Sequence, residues 1–84
     1  MSTDRSPDPR AVGLIGLGEI GQVHAAAIRR VPAARLAAVA DTAAERLRPF
    51  AAEGVQAYPD AAALITDPQV GTVSVCLPPA GSRR

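Results

Sequence analysis

Three glycines and one aspartate carry the chemistry most legible in this chain. Gly16, Gly18 and Gly21 stand in the run Gly16-Leu17-Gly18-Glu19-Ile20-Gly21, and Asp41 lies 20 residues beyond the last of them. A GxGxxG turn brings backbone close to a phosphate, and a carboxylate at that remove accepts hydrogen bonds from a ribose. Gly16 permits a bend where a Cβ would clash. Gly18 permits close approach of a pyrophosphate, and Gly21 lets a helix lie against a sheet. The unpaired N–H groups of that helix's first turn, with its dipole, supply the positive potential. Glu19 is expected to point to solvent, where a carboxylate also suits a helix N-terminus. The bland alternative is a tight turn that binds nothing.

Asp41 favours NAD over NADP, because a carboxylate repels a 2′-phosphate. Thr42, not an arginine, follows it, and Arg46, one turn or so later, is a weak argument the other way. Asp41 could also cap the next helix, or neighbour a Thr42 cap.

These residues need elements to hold them. The apolar run at 11–15 reads as a buried strand, and 20–30 as a helix ending before Pro32. A second apolar strand covers 35–40, its composition suited to cover on both faces. A helix over 42–53 follows, with Thr42 and Glu45 spaced as a capping box, Pro49 as an interruption and Gly54 as its close. A short strand at 56–58, a helix over 61–66 capped by Asp60, and a β-branched strand at 71–77 complete the order. The succession β-α-β-α-β-α-β predicts an α/β fold: a partial Rossmann unit, doubly wound, with a parallel sheet ordered 3-2-1-4. The expected domain spans 10–79, between a polar, disordered tail at 1–9 and a second tail at 80–84.

Composition narrows the function. The 84 residues suffice for one small domain, and the net charge is +1. All the basic residues are arginine, but they form no stripe, and one Tyr and one Phe give no stacking platform, so nucleic acid is disfavoured. One cysteine allows no disulfide framework and no metal cluster. No run approaches a membrane span, and the N-terminus lacks an apolar signal core, so the expected location is the cytoplasm. His24, the one histidine, has no acid partner in the pattern and reads as a helix residue. Cys76 reads as a small buried hydrophobe and Tyr58 as a packing residue of the third strand. Arg29 and Arg30 suit a helix C-terminus. No catalytic residue and no metal ligand is assigned.

The chain resembles the glucose–fructose oxidoreductase / inositol dehydrogenase / MocA (Gfo/Idh/MocA) family. The resemblance rests on the run from Val12 to His24, on Leu36-Ala37-Ala38-Val39-Ala40-Asp41, Ala57-Tyr58-Pro59-Asp60, Asp67-Pro68-Gln69-Val70 and Val73-Ser74-Val75-Cys76-Leu77-Pro78-Pro79. It implies an NAD(P)-dependent oxidoreductase ancestry, often on sugars or cyclitols. By the same resemblance Gly16, Gly18, Gly21 and Asp41 are cofactor residues. Glu19 and Ile20 add backbone N–H groups near the pyrophosphate, and Leu77, Pro78 and Pro79 lie near the cofactor at the switch point.

Departures from the family pattern matter as much. Ala80-Gly81-Ser82-Arg83-Arg84 lacks the Asn and His that many members carry there. The later strands, the Glu-Lys-Pro segment with its catalytic lysine, and the substrate domain are absent, so the chain resembles a truncated member. It is expected to bind the ADP half of a dinucleotide without being catalytically competent alone. The alternatives are a non-catalytic nucleotide-sensing or scaffold module, an inert remnant, and a chain completed by another that supplies the missing domain. The fourth strand, with Val73, Val75 and Leu77 uncovered, is expected to invite self-association.

Overall fold

The computed structural model describes residues 10–76. The tails expected at 1–9 and 80–84, and the site candidates Leu77, Pro78 and Pro79, lie outside the described residues. Seven elements alternate along the chain: β1 (Ala11–Ile15), α1 (Glu19–Arg30), β2 (Arg35–Ala40), α2 (Ala44–Ala52), β3 (Gln56–Tyr58), α3 (Ala61–Ile65) and β4 (Thr72–Val75). The four strands are parallel and ordered β3-β2-β1-β4, as the alternation of elements implied.

β1 is central because both its edges are taken. It pairs with β2 from Ala11↔Arg35 to Ile15↔Ala40, with a register shift between Val12 and Gly13. On its other edge it pairs with β4 from Val12↔Thr72 to Ile15↔Val75. The ladders continue past the strand ends: Gly16 N–H donates to the Ala40 carbonyl at 2.9 Å, and Cys76 N–H to Ile15 at 2.8 Å.

Successive strand residues point to opposite faces, so the core divides in two. One layer joins Leu14 and Val39 to Leu17, Ala25, Phe50 and Cys76, beneath α1 and α2. The other joins Ile15, Ala38 and Ala40 to Leu64 of α3. The second face is built from small residues, which lets the short α3 sit close. A Cβ on Gly13 would lie 2.8 Å from Leu64 Cδ2 and 2.9 Å from Val70 Cγ1.

Capping explains where the helices begin, and it corrects one expectation. Asp60 caps α3 as predicted, its Oδ1 accepting from Ala63 N–H at 2.9 Å. The capping box of Thr42 and Glu45 does not form. α2 starts at Ala44 with Ala43 in the N-cap position and no side-chain cap. The reason is Asp41: its Oδ1 accepts from Ala43 N–H at 2.8 Å, closing a local turn that delays the helix. Gly54, with φ of 89°, follows the end of α2, a conformation that glycine adopts at little cost. Pro49 is accommodated inside α2, with Phe50 buried beneath it. β4 is shorter than the apolar run that predicted it, covering only Thr72–Val75.

Candidate functional site

The glycine turn and Asp41 meet at the carboxyl ends of β1 and β2. The chain leaves β1 at Gly16, whose φ of 94° turns it sharply toward α1. Side chains rarely adopt that angle, so glycine is required there. Gly18 is the N-cap of α1 and brings no side chain to the first turn. The N–H groups of Glu19, Ile20 and Gly21 therefore stand at the helix N-terminus without intrahelical acceptors. Glu19 is exposed in this first turn, as expected.

Gly21 holds turn and helix together by having no side chain. A Cβ there would lie 1.9 Å from the Gly16 carbonyl oxygen, which is backbone and cannot step aside. A Cβ on Gly18, by contrast, meets only Arg46 Nη1, at 3.9 Å. The two glycines thus serve different purposes. Gly21 is demanded by the fold itself, whereas the space above Gly18 is open, as a phosphate-facing position requires.

Asp41 follows β2 directly, and its own N–H donates to the Tyr58 carbonyl at 3.2 Å, which anchors it to β3. Its side chain is 7 % exposed. Oδ2 accepts from Leu17 N–H, in the middle of the glycine turn, at 2.7 Å. Oδ1 accepts from Ala43 N–H. Arg46 Nη1 stands 3.5 Å from Oδ2. Burial pushes this carboxyl upward, but the bonds from Ala43 and Leu17 and the charge of Arg46 outweigh it and hold the group below its ordinary 3.8. A carboxylate offers about four acceptor positions. Two are used by backbone, which leaves capacity for ribose hydroxyls.

One contributor was not legible in the sequence, and a second was legible only as a weak signal. Gln22 folds back so that its Nε2 donates to the Leu17 carbonyl at 3.1 Å, fastening the turn from the helix side. Arg46 reaches Asp41 from the first turn of α2. Its spacing from the acid was the only signal for it, and that spacing is informative only once the start of α2 is known.

The remaining candidates stand apart from this corner or serve structure. His24 lies exposed on α1. Cys76 is buried in the layer under α1 and α2. The Tyr58 hydroxyl donates to Asp67 Oδ2 at 2.6 Å, tying the end of β3 to the loop before β4, and this bond raises the phenol's pKa. Arg29 pairs with Glu53 and lies over the Phe50 ring, 5.2 Å from its centroid, joining α1 to the end of α2. Among the described residues no group of His, Cys, Asp and Glu is placed to hold a metal ion, and no helix is long and apolar enough to cross a membrane.

The donor set fits a dinucleotide. An open glycine stands at the helical N–H groups, and a part-buried carboxylate with spare acceptor capacity is bonded to the same turn. Comparison with known proteins agrees. Residues 10–83 match the family model described as an oxidoreductase family with an NAD-binding Rossmann fold. Myo-inositol 2-dehydrogenase of Thermotoga maritima is 43% identical over 67 residues, which cover 77% of this chain and 20% of that protein. The uncharacterized oxidoreductase YrbE of Bacillus subtilis is 33% identical over 70 residues, 81% of this chain and 20% of its own length. The crystal structure of a probable dehydrogenase from Thermotoga maritima superposes with a TM-score of 0.71 at 43% identity, covering 79% of this chain and 20% of that one. The chain thus spans about a fifth of the length of these relatives. With its parallel sheet, its glycine turn and the matching family model, the chain belongs to the Gfo/Idh/MocA family of oxidoreductases, of which it carries the NAD-binding Rossmann fold.

Proposed function

We propose that this chain holds the ADP half of NAD, with the pyrophosphate on the 16–21 turn and the adenosine ribose on Asp41. The observation that carries the reading is the 2.7 Å bond from Leu17 N–H to Asp41 Oδ2. It joins the two subsites, 24 residues apart, into one preorganised unit. Gly16 sets the bend, Gly18 leaves the space, and Glu19, Ile20 and Gly21 present their N–H groups. Asp41 accepts from the ribose hydroxyls and disfavours a 2′-phosphate, so NAD is preferred. Leu77, Pro78 and Pro79 enter the proposal on sequence alone, as residues toward the nicotinamide side.

Nicotinamide, when bound, supplies hydride chemistry, and hydride transfer needs it and a substrate held in reacting geometry. We assign no catalytic residue in this chain. The name of the Thermotoga relative supports a cyclitol or similar polyol as the substrate class of an oxidoreductase built on this fold. The β4 edge, with Val73 and Val75 exposed, is our candidate for self-association or for a complementing chain. A single cysteine suits a reducing compartment, and the reading includes a cytoplasmic location.

Calorimetric titration of the chain with NAD⁺, NADP⁺ and ADP-ribose tests the assignment. Similar affinities for NAD⁺ and ADP-ribose, weaker binding of NADP⁺, and loss with Asp41→Ala are expected. A folded chain that takes up none of the three would refute it.

A further inference from the structure

Asp41 is placed by β3 as well as by the turn it serves. The β2–β3 ladder ends at Ala40↔Tyr58, so Asp41 lies one residue past the last strand pair. Its backbone is held there by the bond from its own N–H to the Tyr58 carbonyl at 3.2 Å. β3 by itself is a poor anchor. It is a three-residue strand at the edge of the described sheet, with Gln56 exposed and Ala57 and Tyr58 half-buried. Segments with so little buried apolar surface open locally at low cost. The Tyr58 side chain supplies what the strand lacks. Its ring packs against the layer of Ile15, Ala38, Ala40 and Leu64. Its hydroxyl donates to Asp67 Oδ2 at 2.6 Å, a length typical of a charge-assisted bond. Asp67 is fixed in turn: its Oδ1 accepts from Gln69 N–H at 2.8 Å, and its carbonyl accepts from Val70 N–H at 3.2 Å.

A chain of contacts therefore runs from Asp67 through Tyr58 to Asp41, and on from Asp41 Oδ2 to Leu17 N–H in the glycine turn. Resting on the proposed ADP-half site, we propose that Tyr58 is a positioning residue of the ribose subsite: its hydroxyl, latched on Asp67, fixes the end of β3 that holds the Asp41 backbone and so aims the carboxylate at the ribose diol. Tyr58 acts through Asp41 and not on the nucleotide. Hydrogen bonds weaken steeply as their angle departs from linear, so a loosened Asp41 loses the diol first. The pyrophosphate, held by N–H groups of the turn and of α1, is not affected. Tyr58→Phe removes the latch and leaves the ring in its layer, which separates aim from packing.

The test compares adenosine 5′-diphosphate with 2′,3′-dideoxyadenosine 5′-diphosphate, which lacks the diol. Both are titrated into the full chain and into Tyr58→Phe, Asp67→Asn and Asp41→Ala, with circular dichroism confirming that each variant is folded. Wild type is expected to prefer the ligand with the diol by roughly tenfold or more, as for hydrogen bonds to a charged acceptor. Asp41→Ala should abolish that preference. Tyr58→Phe should reduce it by about threefold or more while binding the dideoxy ligand within about twofold of wild type, because only the aim of Asp41 is lost. Asp67→Asn keeps a neutral acceptor for the phenol and should reduce the preference less. It carries the test alone if Tyr58→Phe does not fold. An unchanged preference in the folded variant, or equal losses for both ligands, would overturn the proposal, reduce the latch to a stabilising bond and leave the ADP-half site standing. Equal affinity of wild type for the two ligands would overturn the ribose reading of Asp41 and this proposal with it. A folded wild-type chain that binds neither would overturn the ADP-half site as well.

Discussion

β1 and β4 are neighbours in one sheet and both carry apolar residues, yet they live in different surroundings. In β1, Ala11, Gly13, Leu14 and Ile15 are buried, and Leu14 is 0% exposed. In β4, Val73 is 42% exposed and Val75 61%. β4 alternates Thr72 and Ser74 with its valines where β1 is apolar throughout, and the neighbours of the two strands differ as well. β1 has β2 on one side, β4 on the other and helices over both faces. β4 has a single strand partner, β1, among the described residues. The nucleotide corner therefore grows from the completed side of the sheet, where β1 and β2 end together. Among the described residues, the open side offers exposed apolar surface. Ile20 and Val23 of α1, 54% and 67% exposed, add to the uncovered apolar surface.

The sharpest way to break this contrast is at the buried end of the turn. Gly21→Ala drives a Cβ into the Gly16 carbonyl and is expected to destabilise by about 3 kcal/mol or more, which unfolds a small domain of marginal stability. Gly18→Ala, with open space above it, should cost no more than about 1 kcal/mol, the loss of a favourable N-cap residue, while losing nucleotide affinity. Denaturation curves and calorimetry on the two variants separate a fold glycine from a ligand glycine. Equal loss of stability in both would show that the turn is uniformly tight.

Next in size is the strand contrast itself. Leu14→Ala should cost about 2–5 kcal/mol, because it leaves a cavity in the packed layer beneath α1 and α2. Val75→Thr, on the exposed edge, should fall within about 0.5 kcal/mol of wild type in urea unfolding. A Val75→Thr cost that grows with protein concentration would instead show β4 covered by a second copy.

Asp41 sits at the junction, so its effect is intermediate. Asp41→Ala removes the acceptor for Leu17 N–H and Ala43 N–H and is expected to cost about 1–3 kcal/mol, in addition to abolishing ribose recognition. Its pH signature has a definite sign. The folded-state pKa is depressed, so the stabilisation is complete above the ordinary value of 3.8 and is lost as pH falls through the folded value. Acid unfolding of wild type should therefore steepen below about pH 4, and Asp41→Asn should flatten that limb. The smallest effect belongs to the edge: Val75→Lys should leave thermal stability nearly unchanged while removing any concentration dependence in sedimentation.

Much of this architecture was legible beforehand. The limits of β1 and β2 followed from short apolar runs, β3 was placed at 56–58 as a short strand, and the cap at Asp60 followed from its position before a helical run. The glycine spacing located the turn, and a carboxylate 20 residues on located its companion. What escaped were contacts set by tertiary packing. Thr42 has the right type and spacing for a cap, but Asp41 engages Ala43 first and shifts the helix start. Gln22 looked like an ordinary helix residue until its amide met the Leu17 carbonyl. Gly13 carried no signal in the sequence beyond its place in a strand, yet Leu64 and Val70 press against it so closely that a Cβ would not fit.

Local sequence thus determined the elements, their parallel order and the identity of the turn and the acid, because periodicity, backbone freedom and crossover handedness act over short stretches of chain. Only the tertiary structure decided that Asp41 is bonded to the turn it serves, that Arg46 stands beside it, and that β1 is covered while β4 is not. Those outcomes depend on residues far apart in sequence meeting in space, and distance in space is what sets a hydrogen bond, a charge pair and the burial of a side chain.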